Sequence, residues 1–103
     1  MPYNVVMDVR FEWDPPKNLS NIKKHHVSFE EASTVFLDEN GLLIGDPDHS
    51  DEEDRFILLG LSSTLRLLIV CHCYRSKGGV IRIISAQKAD RQERQEYLRR
   101  FKS

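Results

Sequence analysis

Hydrophobic positions in the first part of the chain recur at every second residue. Val9, Phe11 and Trp13 alternate with Asp8, Arg10 and Glu12, which predicts a half-buried strand over residues 5–13. The run "DPPK" stops it. Asp14 can cap a helix whose first turn tolerates Pro15 and Pro16, and Leu19 and Ile22 supply that helix with an apolar side. The pattern then changes period, because Phe29, Ala32, Val35 and Phe36 return at helical spacing. Ser28 followed by Glu31 reads as a capping box, with Val27 and Ala32 as its hydrophobic staple.

Strand-like runs follow. A short strand is predicted over residues 42–45, followed by a solvated acidic loop over residues 46–54 and strands over 55–61, 66–75 and 80–86. Residues 62–64 and 77–79 are short enough to close hairpins, so these strands should pair antiparallel. Asp90 and Glu93 form a second box-like helix start, and the helix should carry Tyr97, Leu98 and Phe101 toward the core. The order β-α-α-β-β-β-β-α predicts an α+β domain with a mostly antiparallel sheet, two helices in the N-terminal half and one at the C-terminal end.

A length of 103 residues allows one modest core, so residues 1–103 are expected to form a single domain. No apolar run is long enough for a bilayer and no signal peptide is visible, which predicts a cytoplasmic protein. Cys71 and Cys73, one residue apart in a strand, do not build a disulfide scaffold and read as reduced thiols.

Net charge changes the picture. Residues 1–54 hold 4 Lys and Arg against 13 Asp and Glu, whereas residues 55–103 hold 11 against 3, so a chain of net charge -1 is split into halves of -9 and +8. Two readings stand: the basic half meets an anionic partner, or folding interleaves the halves and the charges pair.

The strand periodicity also limits the chemistry. His72 shares a face with Leu68, Val70 and Tyr74, while Cys71 and Cys73 face the other way, so "CHC" cannot chelate one metal through three side chains. The acidic loop lacks the Gly and the bidentate Glu of an EF-hand. There is no phosphate-binding Gly-rich loop, nucleophile elbow or zinc-protease helix, and no cofactor is expected. What remains is a set of cations and one imidazole. Arg82 shares a face with Val80 and Ile84, and in-register pairing would put Arg82 and His72 on one side of the sheet, bordered by Arg55 and Lys88. Such parts fit metal-free RNA cleavage, in which a base activates the 2′-hydroxyl and cations stabilise the charge that develops on phosphate. In the plainer alternative Arg82 pairs with Glu12 and His72 is a satisfied, half-buried polar group. Spacing alone leans toward the latter.

Three stretches in order, "FEWDPPKNLSNIKKHHVSFEEASTVFLD", "EEDRFILLGLSSTLRLLIVCHCYR" and "RIISAQKADRQERQEY", resemble the BrnT family of type II toxin-antitoxin toxins. The resemblance implies a RelE-like fold and an endoribonuclease that arrests translation. It also implies a BrnA-like ribbon-helix-helix antitoxin, with operator DNA met only through the toxin-antitoxin complex. Under it His72 is the candidate general acid or base, Arg82, Arg55 and Lys88 are candidates for phosphate binding, and Tyr97 is a further contributor. Two rivals remain: a degenerate toxin acting as a co-repressor, and a regulator that binds nucleic acid alone. The chain departs from the family pattern at His26, where a turn Gly is usual, and at Gln87, where Arg is common.

Overall fold

The chain is described by a computed structural model covering residues 3–6, 9–45, 55–75, 77 and 79–100. The predicted acidic loop and Phe101 fall outside these residues. The strands are β1 (Tyr3–Val6), β2 (Val9–Glu12), β3 (Leu42–Gly45), β4 (Arg55–Leu61), β5 (Leu67–Arg75) and β6 (Val80–Lys88). The helices are α1 (Pro15–His25), α2 (Phe29–Thr34), which runs into a 3-10 turn (Val35–Leu37), and α3 (Arg91–Arg99). One sheet is formed in the order β1-β2-β6-β5-β4-β3, and every pairing is antiparallel except β2 with β6. The α+β class and the mostly antiparallel sheet are as predicted.

The predicted first strand is in fact two. The chain folds back so that Val6 lies opposite Val9, making a β1-β2 hairpin. Strict alternation holds only from Val9 onward; Val5, Val6 and Met7 are three apolar residues in succession and break the period.

One face of the sheet carries the main core. Phe11, Val27, Phe29, Ala32, Val35, Leu68, Val70 and Ile83 are nearly inaccessible to solvent and join α1, α2 and the sheet in a single core. A buried side chain of this size contributes about 1.5–3 kcal/mol, so this layer dominates the hydrophobic stabilisation. Ser28 caps α2 by accepting a 3.0 Å hydrogen bond from the Glu31 amide. Only this half of the predicted box forms, because the Glu31 carboxylate is drawn elsewhere. Asp14 occupies the α1 cap position without a side-chain bond, since prolines at the first two helical positions remove nearby donors.

The predicted apolar side of α1 is also corrected: Leu19 and Ile22 are exposed, and the buried residue is Asn21. Its amide donates to the carbonyls of Val27 and Ala86, each at 2.8 Å, and its Oδ1 accepts from the Ala86 amide at 3.1 Å. Helix α1 is thus docked on β6 by polar complementarity rather than by a hydrophobic stripe. It ends at His26, whose φ of 59° is left-handed, a conformation that favours glycine.

The other face of the sheet is covered only in part. Helix α3 lies over one end of it, packing Tyr97 and Ala89 on Leu59, with Leu42, Leu61, Leu67 and Ile69 around them. The helix begins with a complete Asp90/Glu93 capping box, both bonds 2.8 Å long. Leu98, expected to point inward, is exposed. The β3-β4 sheet passes so close to the 3-10 turn that a Cβ on Gly60 would lie 2.8 Å from Val35 Cγ1. That approach lets Asp38 accept hydrogen bonds from the Leu61 amide at 2.8 Å and from the Tyr97 hydroxyl at 2.6 Å, tying α3 to the sheet.

Candidate active site

The end of the outer face away from α3 carries a cross-strand row. Glu12 lies opposite Arg82, Arg82 opposite Cys73, and Cys73 opposite Arg55, so the row crosses β2, β6, β5 and β4. Two strand spacings put the Arg82 and Arg55 backbones about 10 Å apart. One oxygen of Glu12, Oε1, lies 3.6 Å from Arg82 Nη1 and 3.4 Å from Arg75 Nε. One carboxylate thus steadies two guanidiniums. This arrangement can hold an anion such as phosphate.

Beside the row is a small pocket of about 250 Å³ lined by Arg55, Ile57, Ile69, Cys71, Ile84, Ser85 and Gln87. Its shape depends on an irregularity. Cys71 pairs with Ser85 but His72 pairs with Ile83, so Ile84 has no partner in the ladder and bulges. Both Ile84 and Ser85 consequently line the pocket, and strand alternation is reset on the way to Arg82.

The bulge overturns the expectation that His72 and Arg82 project from one side. His72 faces the core, opposite Ile83, and is completely buried. Its ring stands edge-on to Phe36 at 4.7 Å and near Phe56 at 6.2 Å. The Val70 carbonyl can only accept, so the 3.0 Å contact puts the proton on Nδ1, leaving Nε2 to accept from the Tyr74 hydroxyl at 3.3 Å. Burial lowers the His72 pKa below its ordinary value, favouring neutral imidazole. The imidazole is a satisfied core group, as in the plainer of the two sequence readings, and the Arg82–Glu12 pairing of that reading is also present.

Lys88 and Tyr97 do not join the row either. Six residues of strand separate Lys88 from Arg82, roughly 20 Å at the usual rise. Lys88 instead borders a groove with Leu65, Arg66, Arg94 and Leu98. Tyr97 is buried under α3 with its proton committed to Asp38; burial and that bond push its pKa up to about 12. Sequence reasoning named Glu12 as the partner of Arg82 in its plainer alternative but missed Arg75, which shares that carboxylate, and the aliphatic pocket floor. The alternation of β5 and β6 carried part of that signal, and the bulge hid the rest.

Part of the charge split is met by pairing across the halves. Arg66, Arg75 and Arg82 all meet carboxylates of the first half, Glu31 and Glu12. Arg66 forms an ion pair with Glu31 through Nη2 and Oε1 and donates from Nε to Oε2 at 2.9 Å. Glu31 Oε2 also accepts from the hydroxyls of Ser62 at 2.7 Å and Thr64 at 2.5 Å. Among the described residues no three His, Cys, Asp or Glu side chains gather to hold a metal ion, and no helix is long and apolar enough to cross a membrane.

No curated protein sequence matches the chain. Its fold is similar to the crystal structure of the Brucella abortus ribonuclease toxin BrnT, with a TM-score of 0.58 and 22% identity over 79% of this chain and 96% of that one. The family model "Ribonuclease toxin, BrnT, of type II toxin-antitoxin system" matches residues 13–93, which span α1 through the first turn of α3 and hold Arg55, Arg75 and Arg82. The chain therefore belongs to the BrnT family of type II toxin-antitoxin toxins.

Proposed function

We propose that this protein is a metal-independent endoribonuclease that cleaves RNA in the cytoplasm and arrests translation, and that a BrnA-like antitoxin neutralises it. The antitoxin carries a ribbon-helix-helix domain, and the complex alone meets operator DNA. Family membership supports the class, and the observation that carries the site is the Arg82-Glu12-Arg75 cluster in line with Arg55 beside a small pocket. Arg82 and Arg55 bind the RNA backbone and stabilise the charge that develops as the 2′-hydroxyl attacks phosphorus. Glu12 aims the guanidinium of Arg82. His72, with no solvent-accessible surface, serves the core and holds the Tyr74 hydroxyl rather than the reacting proton.

Gln87 favours a second reading, in which the protein is an attenuated toxin retained as a co-repressor. It lines the pocket beside Arg55 at a position where the family commonly has Arg. One experiment separates these readings: RNA cleavage by the purified protein, compared with Arg82→Lys, His72→Gln and Gln87→Arg and reported per folded molecule. Arg82→Lys keeps the charge but loses the planar fork, and cleavage should fall about tenfold or more at unchanged melting temperature. His72→Gln should lower the melting temperature and leave cleavage per folded molecule nearly unchanged. Cleavage gained only by Gln87→Arg establishes attenuation. Full activity in well-folded Arg82→Lys refutes the site.

A further inference from the structure

Between α3 and the β3 side of the sheet runs a second groove, of about 480 Å³. Its floor is aliphatic: Leu42 and Ile44 from β3, Ile57 and Leu59 from β4, and Ile69 from β5. Ile44 is about half exposed at 48%, and among the described residues β3 ends the sheet. The wall is acidic. Residues 55–103 contain only three carboxylates, Asp90, Glu93 and Glu96, and all three line this groove. Asp90 and Glu93 are fixed by the capping box, and Glu96, one turn on, lies 3.2 Å from Arg99. A half that is otherwise strongly basic thus turns one negative edge toward an apolar trough.

RNA is a poor occupant here, because its phosphates would face those carboxylates. A protein segment with aliphatic side chains on one side and Lys or Arg along its edge matches both floor and wall. The groove also adjoins the pocket beside Arg55, since Ile57 and Ile69 line both. We propose that the α3-β3 groove is the docking site for an aliphatic, basic-edged segment of the antitoxin, which silences the toxin by covering the shared Ile57-Ile69 floor and closing the substrate pocket from its side. The proposal rests on the toxin-antitoxin reading above. It assigns two ends of one sheet face to opposite charges: the Arg82-Arg55 end to RNA, the α3 end to the protein that excludes RNA.

The test titrates the full chain with the purified small protein encoded beside it, by calorimetry, and in parallel measures RNA cleavage by the chain alone. Two variants are compared with wild type: Ile44→Arg in the floor and Glu96→Lys on the rim. Each should weaken binding roughly tenfold or more while melting temperature and partner-free cleavage stay unchanged. Glu96 is an exposed helix position, so Glu96→Lys decides the question if Ile44→Arg folds poorly. Wild-type binding with equal affinity in well-folded variants overturns the groove and leaves the toxin-antitoxin reading intact. No binding by wild type overturns both. Variants that lose RNA cleavage but keep partner affinity assign the groove to RNA, and variants that change only the concentration dependence of sedimentation assign it to a second copy; either result refutes the proposal.

Discussion

Replacing Glu31 with Gln tests the largest polar network in the fold. The Glu31 carboxylate accepts from Arg66 Nε, Ser62 and Thr64 at Oε2 and pairs through Oε1 with Arg66 Nη2, which also donates to the His26 carbonyl at 2.9 Å. The side chain therefore joins the end of α1, the start of α2 and the β4-β5 connection. Hydrogen bonding from Arg66 holds the carboxyl at about 2 instead of its ordinary 4.5, with burial opposing and Thr64 and Ser62 assisting. Unscreened, that difference is worth about 3 kcal/mol of preference for the charged form. The Arg66 side chain is 31% exposed, so water screens the pair and about 1–2 kcal/mol is the better figure. Glu31→Gln also turns one acceptor into a donor facing Arg66, bringing the expected loss to about 2 kcal/mol at pH 7. For a domain of this size that lowers the melting temperature by about 10 °C. Because the folded pKa lies below the unfolded one, the carboxylate's contribution is complete above about pH 4.5 and is lost as pH falls toward 2. Urea unfolding of both proteins at pH 7, 4 and 3 measures this directly. The gap between them should narrow with acidification, and equal stabilities at pH 7, or a gap independent of pH, would refute the reasoning.

Asn21→Ala should cost about 3 kcal/mol, since it strips partners from the Val27 carbonyl and from both backbone groups of Ala86; loss of hydrogen-exchange protection at the Ala86 amide would mark the site specifically. His26→Gly should raise stability by about 0.5–1 kcal/mol in the same urea assay, because glycine relieves the cost of φ 59° while giving back some unfolded-state entropy; a loss on substitution would show that the imidazole holds its turn for another reason.

Local signals carried much of the fold. The spans Leu42–Gly45 and Arg55–Leu61 are strands with the bounds expected from their short apolar runs, and the Asp90/Glu93 box opens α3 where expected. Each of these is written within a few neighbouring residues. The β2-β6 parallel pairing and the Asn21 bonds to Ala86, across 65 residues, follow from tertiary packing that no local period encodes. Leu19 and Ile22 have helical spacing yet stay exposed, because a satisfied amide docks α1 in place of an aliphatic stripe. For the site, Arg82 and Arg55 share the outer face through cross-strand registry, whereas His72 was assigned to that face by assuming an unbroken ladder. The anchoring of Tyr97 by Asp38 likewise depends on the close passage allowed at Gly60.

The unpaired Ile84 makes chain length a property this strand can vary by one residue without exchanging its faces. Counting by twos from Ala86, which faces the core opposite Val70, would send residue 82 inward as well; the additional residue is what releases it. Deleting Ile84 would join Ser85 to Ile83 in a regular ladder and keep Arg82 outward with Ile81 and Ile83 inward, whereas flattening the bulge with every residue retained would turn the upstream segment over and drive Arg82 toward Phe36 and His72. A relative that carries a one-residue gap in this stretch would therefore bear its charge on the same surface, with the bulge simply absent. Alignments of such chains are best anchored on the two sides of the bulge separately.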